Sequence, residues 1–473
     1  MRYVTFRRTA FAVLVGLASS VPSNSQPGLV SERPVAPGVV LKQFTLPGPY
    51  TLDVLQVQLG TPHIALEAYR PNGLTKTSVQ AAANDRDGHR VVAAVNADFF
   101  SFATGWPDGN QVVNGEIVHG LASKLLHFTV DAHRHPSFER LTFSGVLLDP
   151  GGSSHAIAGV NDTRAAGTLE FYTPYRGTTT KTDSGGTECA VEFLNPPRAG
   201  DTLRACITAE GPGNLAIPSG GGVLSAASGE TAAFLAAAVH TGDTVRIVLG
   251  YTTPAHTVMQ SLGGRGRILT DGKSTTDSMN AQEGITVKFT GARHPRTFVG
   301  FNADTSTFYM CTVDGRQASS IGMTFAEMAS FMLSLGGTQA FNFDGGGSTT
   351  MVVRGSIVNS PSDSAGERKV ANSLQLVSIA PPGRTASVSA APDRVDVFSG
   401  HTVQFTASAL DEYGNPTGVP ADAVWEADPA LGTISVSGLF TATHGGSSGH
   451  VRIRCGAVTD SAAVTVVNGS GGR

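Results

Sequence analysis

The segment TFAEMASFMLSLGGTQAFNFDGGGS, residues 324–348, reads as a helix that feeds a short strand ending in a polar loop. Thr324 is placed to cap the helix, and Glu327 three residues on closes a capping box. Met323 and Met328 are spaced for a hydrophobic staple, and Gly336 is a natural stop. Ala340 to Phe343 is an apolar run that delivers the carboxylate of Asp344 at its end. Gly345, Gly346 and Gly347 then allow close backbone approach and can turn successive N–H groups toward an anion, with Ser348 beside them. No Gly-Lys-Ser/Thr follows, so the loop is not a Walker motif.

The same arrangement recurs upstream. A helix is predicted to start at Thr77, with Gln80 closing its box, and it precedes the strand Val91 to Val95. That strand delivers Asn96-Ala97-Asp98-Phe99-Phe100. A further helix is predicted over about Glu230 to Val239. Functional groups at the carboxyl ends of strands are a recurring location for active sites. These elements predict an α+β fold, a mixed β-sheet core with packed helices.

Toward the C-terminus, Ala380-Pro381-Pro382-Gly383-Arg384 marks a boundary. Beyond it come short alternating runs punctuated by turn residues, the spacing of a small all-β sandwich. Asp411-Glu412-Tyr413-Gly414-Asn415-Pro416 strengthens that reading, and the tail resembles bacterial immunoglobulin-like domains. At the other end, Arg2, Arg7 and Arg8 precede the apolar run Ala10 to Ala18 and then small residues, the layout of a cleavable export signal. The predicted organisation is a signal peptide at 1–25, a main domain at 40–380 and an immunoglobulin-like domain at 385–468. The location expected is secreted or cell envelope.

Composition bounds the partners. Of the 473 residues 15% are charged and the formal net charge is −4, which gives no electrostatic footprint for nucleic acid. No stretch after the leader is long and apolar enough for membrane insertion. Cys189 and Cys206 lie symmetrically about Asn195-Pro196-Pro197-Arg198-Ala199-Gly200-Asp201, so a hairpin is expected to bring them into a disulfide. Cys311 and Cys455 read as buried thiols.

Arginines supply the remaining chemistry. Arg293-His294-Pro295-Arg296 precedes the strand Thr297 to Phe301, and the strand Phe308 to Val313 ends in Asp314-Gly315-Arg316. A guanidinium fork suits phosphate because it makes two parallel charge-assisted bonds. Singly, each would read as a surface arginine, and Glu367-Arg368 before Ala371-Asn372 as a solvated loop.

Together, the motifs from Asn96 to Phe100, Arg293 to Thr297, Val313 to Gln317, Asp344 to Thr349 and Gly366 to Asn372 resemble the phosphodiester glycosidase family, over about residues 50–378. The family form has glycine at one or both positions after the asparagine, where this chain has Ala97-Asp98. The resemblance implies hydrolysis of the anomeric C–O bond of a sugar-1-phosphodiester, with a glycan as partner. Such a leaving group needs little acid catalysis, and the task is to hold its negative charge. Arg293, Arg296, Arg316, Arg368 and the N–H groups of Gly345 to Ser348 are candidates for that. His294 could bind or protonate phosphate, Asn96 and Asn372 could orient sugar hydroxyls, and Asp344 is the first candidate for nucleophile or base, followed by Asp98 and Glu367. Two other readings stand beside it. One is a P–O-cleaving phosphodiesterase in which Asp98, Asp314 and Asp344 hold calcium or magnesium. The other is a non-catalytic envelope-glycan binder.

Overall fold

The computed structural model describes residues 26–253 and 256–468, so the expected export signal at 1–25 lies outside the described residues. An eight-stranded sheet runs in the spatial order Leu29–Ala36, Val39–Leu46, Tyr50–Gln58, Thr307–Val313, Arg296–Phe301, Gln339–Asn342, Arg267–Thr270, Lys273–Ser274. A five-stranded sheet runs Ser356–Ile357, Met351–Val353, Arg90–Asn96, Ser373–Ser378, Ile64–Tyr69. Both are antiparallel throughout. Apolar side chains of the two sheets share one core: Leu55, Val299, Phe308, Met310 and Phe341 from the first, Leu66, Ala93, Val95, Leu374 and Leu376 from the second.

Helices cover the outer faces. The helix Phe325–Ser334 buries Phe325, Met328, Ala329, Phe331 and Met332 against Phe44, Val54, Phe298 and Cys311 of the eight-stranded sheet. Thr324 and Glu327 form the reciprocal capping box, and Gly336 takes φ +91°, as the sequence predicts. The helix Thr77–Asn84 also begins where expected, but not by the expected device. Its N-cap is Lys76 without a side-chain bond, and Gln80 Nε2 instead donates to the carbonyls of Thr75 and Val370.

The α+β expectation is overturned, because the protein is predominantly β with several sheets and short, peripheral helices. The core sheets are antiparallel rather than mixed. The helices read from the sequence exist, but much of the chain between Gln111 and Gly263, which shows little helical period, folds into a 12-stranded sheet. That sheet has its own core, with Leu141, Phe171, Val191, Leu224 and Ile247 closed over by Leu235 of the helix Gly229–Ala238. Phe128, Val130 and Phe138 of the same sheet reach into the first core, so the units pack as one body.

The cysteine hairpin forms without the disulfide. Strands Thr187–Phe193 and Thr202–Gly211 pair antiparallel, but the register sets Cys189 opposite Glu210 and Cys206 opposite Glu192. The turn is not centred between the two cysteines, so both thiols are free. Burial, with Glu210 and Glu188 nearby, pushes the Cys189 thiol up to about 12.

Residues beyond 384 form short strands around a separate core of Val388, Phe405, Leu431, Phe440, Ile453 and Val464. One arginine fastens this unit to the rest. Arg354 sits at φ +48° in the turn between Met351–Val353 and Ser356–Ile357. Its Nη2 donates to Gly414 O at 2.7 Å, Nη1 to Asn415 Oδ1 at 3.3 Å and Nε to Val35 O at 3.1 Å. Asn415 Nδ2 in turn donates to Ser378 Oγ at 3.0 Å. Arg354→Ala is therefore expected to cost about 1–3 kcal/mol by leaving these acceptors unpaired. Urea titration reads this as a lowered midpoint, and an unchanged midpoint would mean that the contact contributes nothing.

Candidate active site

The strands Arg90–Asn96 and Gln339–Asn342 belong to different sheets, yet their C-terminal ends meet. Asn96 joins them. Its Nδ2 donates to Asp344 O at 2.6 Å, and its Oδ1 accepts from Thr297 Oγ1 at 2.6 Å and Thr350 N at 3.1 Å. The side chain is fully buried and its amide is spent on protein partners, so Asn96 positions Asp344 rather than a sugar. Asn372, also buried, has a like role: its Oδ1 accepts from Asp98 N at 2.9 Å and its Nδ2 donates to Gln111 Oε1 at 3.2 Å.

Asp344 is partly exposed, with its Oδ1 accepting from Gly345 N at 2.9 Å. Burial raises its carboxyl to about 6, opposed by the Ser348 hydroxyl, the Gly345 N–H, and the cations Arg368 and Arg265. The glycines that follow are required by what leans on them. A Cβ on Gly345 would stand 2.6 Å from Pro295 O. One on Gly346, which also has φ +63°, would stand 3.0 Å from Arg316 Nη2. One on Gly347 would run into Arg368 Nη2 and Asp363 Oδ1. Two guanidinium groups thus lie against the loop that carries Asp344.

These two arginines are held differently. Arg368 is fixed by a fork to Asp363, with Nε to Oδ2 at 2.8 Å and Nη2 to Oδ1 at 3.0 Å. Arg316, exposed at φ +60°, donates from Nη2 to His294 Nδ1 at 3.3 Å. Arginine can only donate, so His294 Nδ1 accepts and Nε2 carries the proton. Burial, then the charges of Arg296 and Arg316, hold the His294 pKa below its ordinary value, which keeps it neutral.

Other predicted residues lie apart from this cluster or serve the frame. Arg296 is 2% exposed, between the rings of Phe289 and Phe325 at 5.0 and 4.9 Å. Its Nη2 donates to Phe289 O and Ala292 O at 3.0 and 2.9 Å, which leaves little of the fork for phosphate. Burial lowers its pKa to about 10. Arg293 faces away, paired with Glu327 and Tyr50. Asp314 Oδ1 accepts from Asn359 Nδ2 at 3.1 Å and Ser360 N at 2.9 Å, anchoring that loop. Glu367 accepts from Ser78 N at 2.8 Å and Ser78 Oγ at 2.5 Å, and so caps the Thr77–Asn84 helix from outside it. Asp98 is 2% exposed, and its Oδ2 accepts from Gly109 N at 3.0 Å and Gly263 N at 3.2 Å. Burial and Asp108 raise its carboxyl to about 8, against those two N–H bonds and Arg265.

The sequence reading missed Arg265, which donates to Asp108 Oδ2 at 2.5 Å and lies 4.9 Å over Phe99. Its charge acts on both Asp344 and Asp98. An arginine inside Gly263-Gly264-Arg265-Gly266 was the available signal. Arg70 was missed too. It ties the Phe99–Asp108 loop to Ala371 through Gly105 O and Ala371 O, both at 2.9 Å, and lies 4.3 Å over Trp106.

Residues 190–377 match the family model described as phosphodiester glycosidase. Over that region the chain is similar to the phosphodiester glycosidase family. The match takes in Arg316, Asp344 and Arg368, while Asn96 and Asp98 precede it. A curated relative, the SPbeta prophage-derived uncharacterized protein YomE of Bacillus subtilis (strain 168), is 38% identical over 109 residues, 23% of this chain and 16% of that protein. The chain therefore aligns with a small part of that relative's length. A hypothetical protein from Synechocystis superposes with TM-score 0.57 at 18% identity, covering 73% of this chain and 64% of that one. A Burkholderia pseudomallei K96243 protein whose name assigns no activity gives TM-score 0.54 at 24% identity, covering 69% and 74%. These two likenesses concern the fold alone.

Two outcomes follow. Removing the trans-cap by Glu367→Ala should cost about 0.5–2 kcal/mol in chemical denaturation. A large loss of turnover with unchanged stability would instead restore Glu367 to the chemistry. Asp98 titrates near 3.9 when unfolded and at about 8 when folded. The stability this contributes is present below pH ~4 and is lost as pH rises through about 8. Asp98→Asn should remove that part of the pH dependence, which paired denaturation series at pH 5 and pH 8 would read.

Proposed function

We propose that this protein hydrolyses the anomeric C–O bond of a sugar-1-phosphodiester and works outside the cytoplasm. The observation that carries this reading is the contact of Arg316 and Arg368 with the glycine loop beside Asp344. Two cations at the loop and a run of backbone N–H groups suit a departing phosphate, and a carboxylate next to them suits the carbon it leaves. Water oxygen bonds to the anomeric carbon, while the C–O electrons depart with the phosphomonoester. Asp344 acts either as nucleophile, forming a glycosyl ester with the anomeric carbon that the water then displaces, or as base, taking the proton of the attacking water. His294, with a proton on Nε2, supplies a neutral donor to a phosphate oxygen, and the family likeness supports the substrate class.

The way the carboxylates are engaged supports the glycosidase reading over the metal reading. Asp98 Oδ2 is taken by two backbone N–H groups and Asp314 Oδ1 by Asn359 and Ser360. Among the described residues, no group of three or more His, Cys, Asp or Glu side chains converges to hold a cation.

Hydrolysis in ¹⁸O-water should label the anomeric hydroxyl and leave the phosphomonoester unlabelled. Label on phosphate would mean P–O cleavage. Asp344→Asn should lower kcat by more than tenfold, about 1.4 kcal/mol of barrier, with the fold intact. Since Asp344 acts as the anion, wild-type kcat/KM should rise with pH through about 6 and then level. A profile flat from pH 4 to 8 would remove Asp344 from the chemistry. Arg316→Lys keeps the charge but loses the fork, and should raise KM for the phosphodiester severalfold. Arg296→Lys should act mainly on stability.

A further inference from the structure

Beside the Asp344 cluster lies a cleft of ≈ 670 Å³ that none of the chemistry above uses. The loop Ser101–Asp108 forms one wall, Asn161 to Thr163 another, and Arg176, Lys181 and Arg265 complete it. Arg265 belongs to both places, since it borders the cleft and its charge acts on Asp344.

The lining is built for hydroxyl groups. His119, 3% exposed, gives its Nδ1–H to Gly109 O at 2.9 Å, which fixes the tautomer and leaves Nε2 as an acceptor. Among the described residues that nitrogen has no hydrogen-bond partner, and His119 lines the cleft. Burial lowers its pKa to about 4, so the acceptor persists at neutral pH. Ser101, Thr104, Thr163 and Asp162 add polar groups to the lining, and Trp106 stacks on the His119 ring with centroids 5.1 Å apart.

The lining also carries three cations, Arg176, Lys181 and Arg265, beside the carboxylates of Asp108 and Asp162. Arg265 is already paired with Asp108 at 2.5 Å, but Arg176 spends Nε and Nη1 only on the carbonyls of Thr180 and Asn161 at 3.3 and 3.4 Å. Its guanidinium rests 5.0 Å over the Tyr172 ring. The neighbouring Lys181 is exposed, and its Nζ lies 3.7 Å from where a Cβ on Gly177 would stand. The two cations therefore flank one short turn, with Arg176 Nη2 and Lys181 Nζ free for an anion.

We propose that this cleft binds the part of the substrate beyond the phosphodiester, a polyhydroxylated unit carrying a second anionic group. The assignment rests on the phosphodiester glycosidase reading for the position of the scissile bond, but not for the existence of the site. Calorimetry on the full chain carrying Asp344→Asn, with glucose 6-phosphate, glucose and inorganic phosphate as probes, tests it without turnover. Glucose 6-phosphate should bind at least about tenfold tighter than either of the others. Adding Lys181→Ala or Arg176→Gln should remove most of that advantage. Equal binding of inorganic phosphate, or an advantage untouched by both substitutions, would overturn the proposal. In the catalytically intact chain, two sugar-1-phosphodiesters differing only in a phosphate on the leaving group should differ in KM by about tenfold. That ratio should fall toward one in Lys181→Ala. Turnover of both with no KM difference would overturn the cleft assignment and leave the activity standing. Absence of turnover with retained Lys181-dependent binding would overturn the activity and leave a polyhydroxyl-anion site.

Discussion

The buried amide of Asn96 is the interaction on which the site depends. Its acceptor and donor are both used, toward Thr297 and Thr350 on one side and Asp344 on the other. Those partners come from two sheets packed through a common apolar core, so the amide fixes how the strand ends register across the interface. A buried polar group left unpaired costs more than a satisfied one contributes. The junction therefore tolerates little sliding, and the carboxylate of Asp344 inherits that rigidity.

From this junction the electrostatics follow. Asp344 is half shielded from water, which would neutralise it, but the cations Arg265 and Arg368 with nearby hydroxyl and N–H groups hold its carboxyl at about 6. Asp98, more deeply buried and near Asp108, is held at about 8. The two carboxyl groups differ in charge state across neutral pH because their surroundings differ, not because their chemistry does. Glycine makes the arrangement sterically feasible. Side chains at 346 or 347 would occupy the space taken by the guanidinium groups of Arg316 and Arg368.

Much of the second sheet system and the tail act through packing. Phe128 and Phe138 insert into the main core from the 12-stranded sheet. Arg354 clamps the hairpin that follows the glycine loop to the C-terminal unit.

By itself the sequence determined the local elements with strong periodic or capping signals. The box at Thr324 and Glu327, the strand entering Asp344 and the helix near Glu230 were all legible, because each depends on residues within one or two turns. The order of the five motifs was legible as a family resemblance. The dominance of antiparallel β-structure was not, because apart from the hairpin about Asn195 to Asp201 the strands between Gln111 and Gly263 alternate weakly and gain their identity from partners across the sheet. Nor could the sequence separate arginines. Arg296 and Arg316 look alike in their motifs, yet one is consumed by backbone carbonyls and aromatic faces while the other stands open at the loop. Glu367 likewise became a helix cap, and the two hairpin cysteines passed each other in register. Each of those outcomes depends on contacts between residues far apart in the chain, which only the tertiary structure decides.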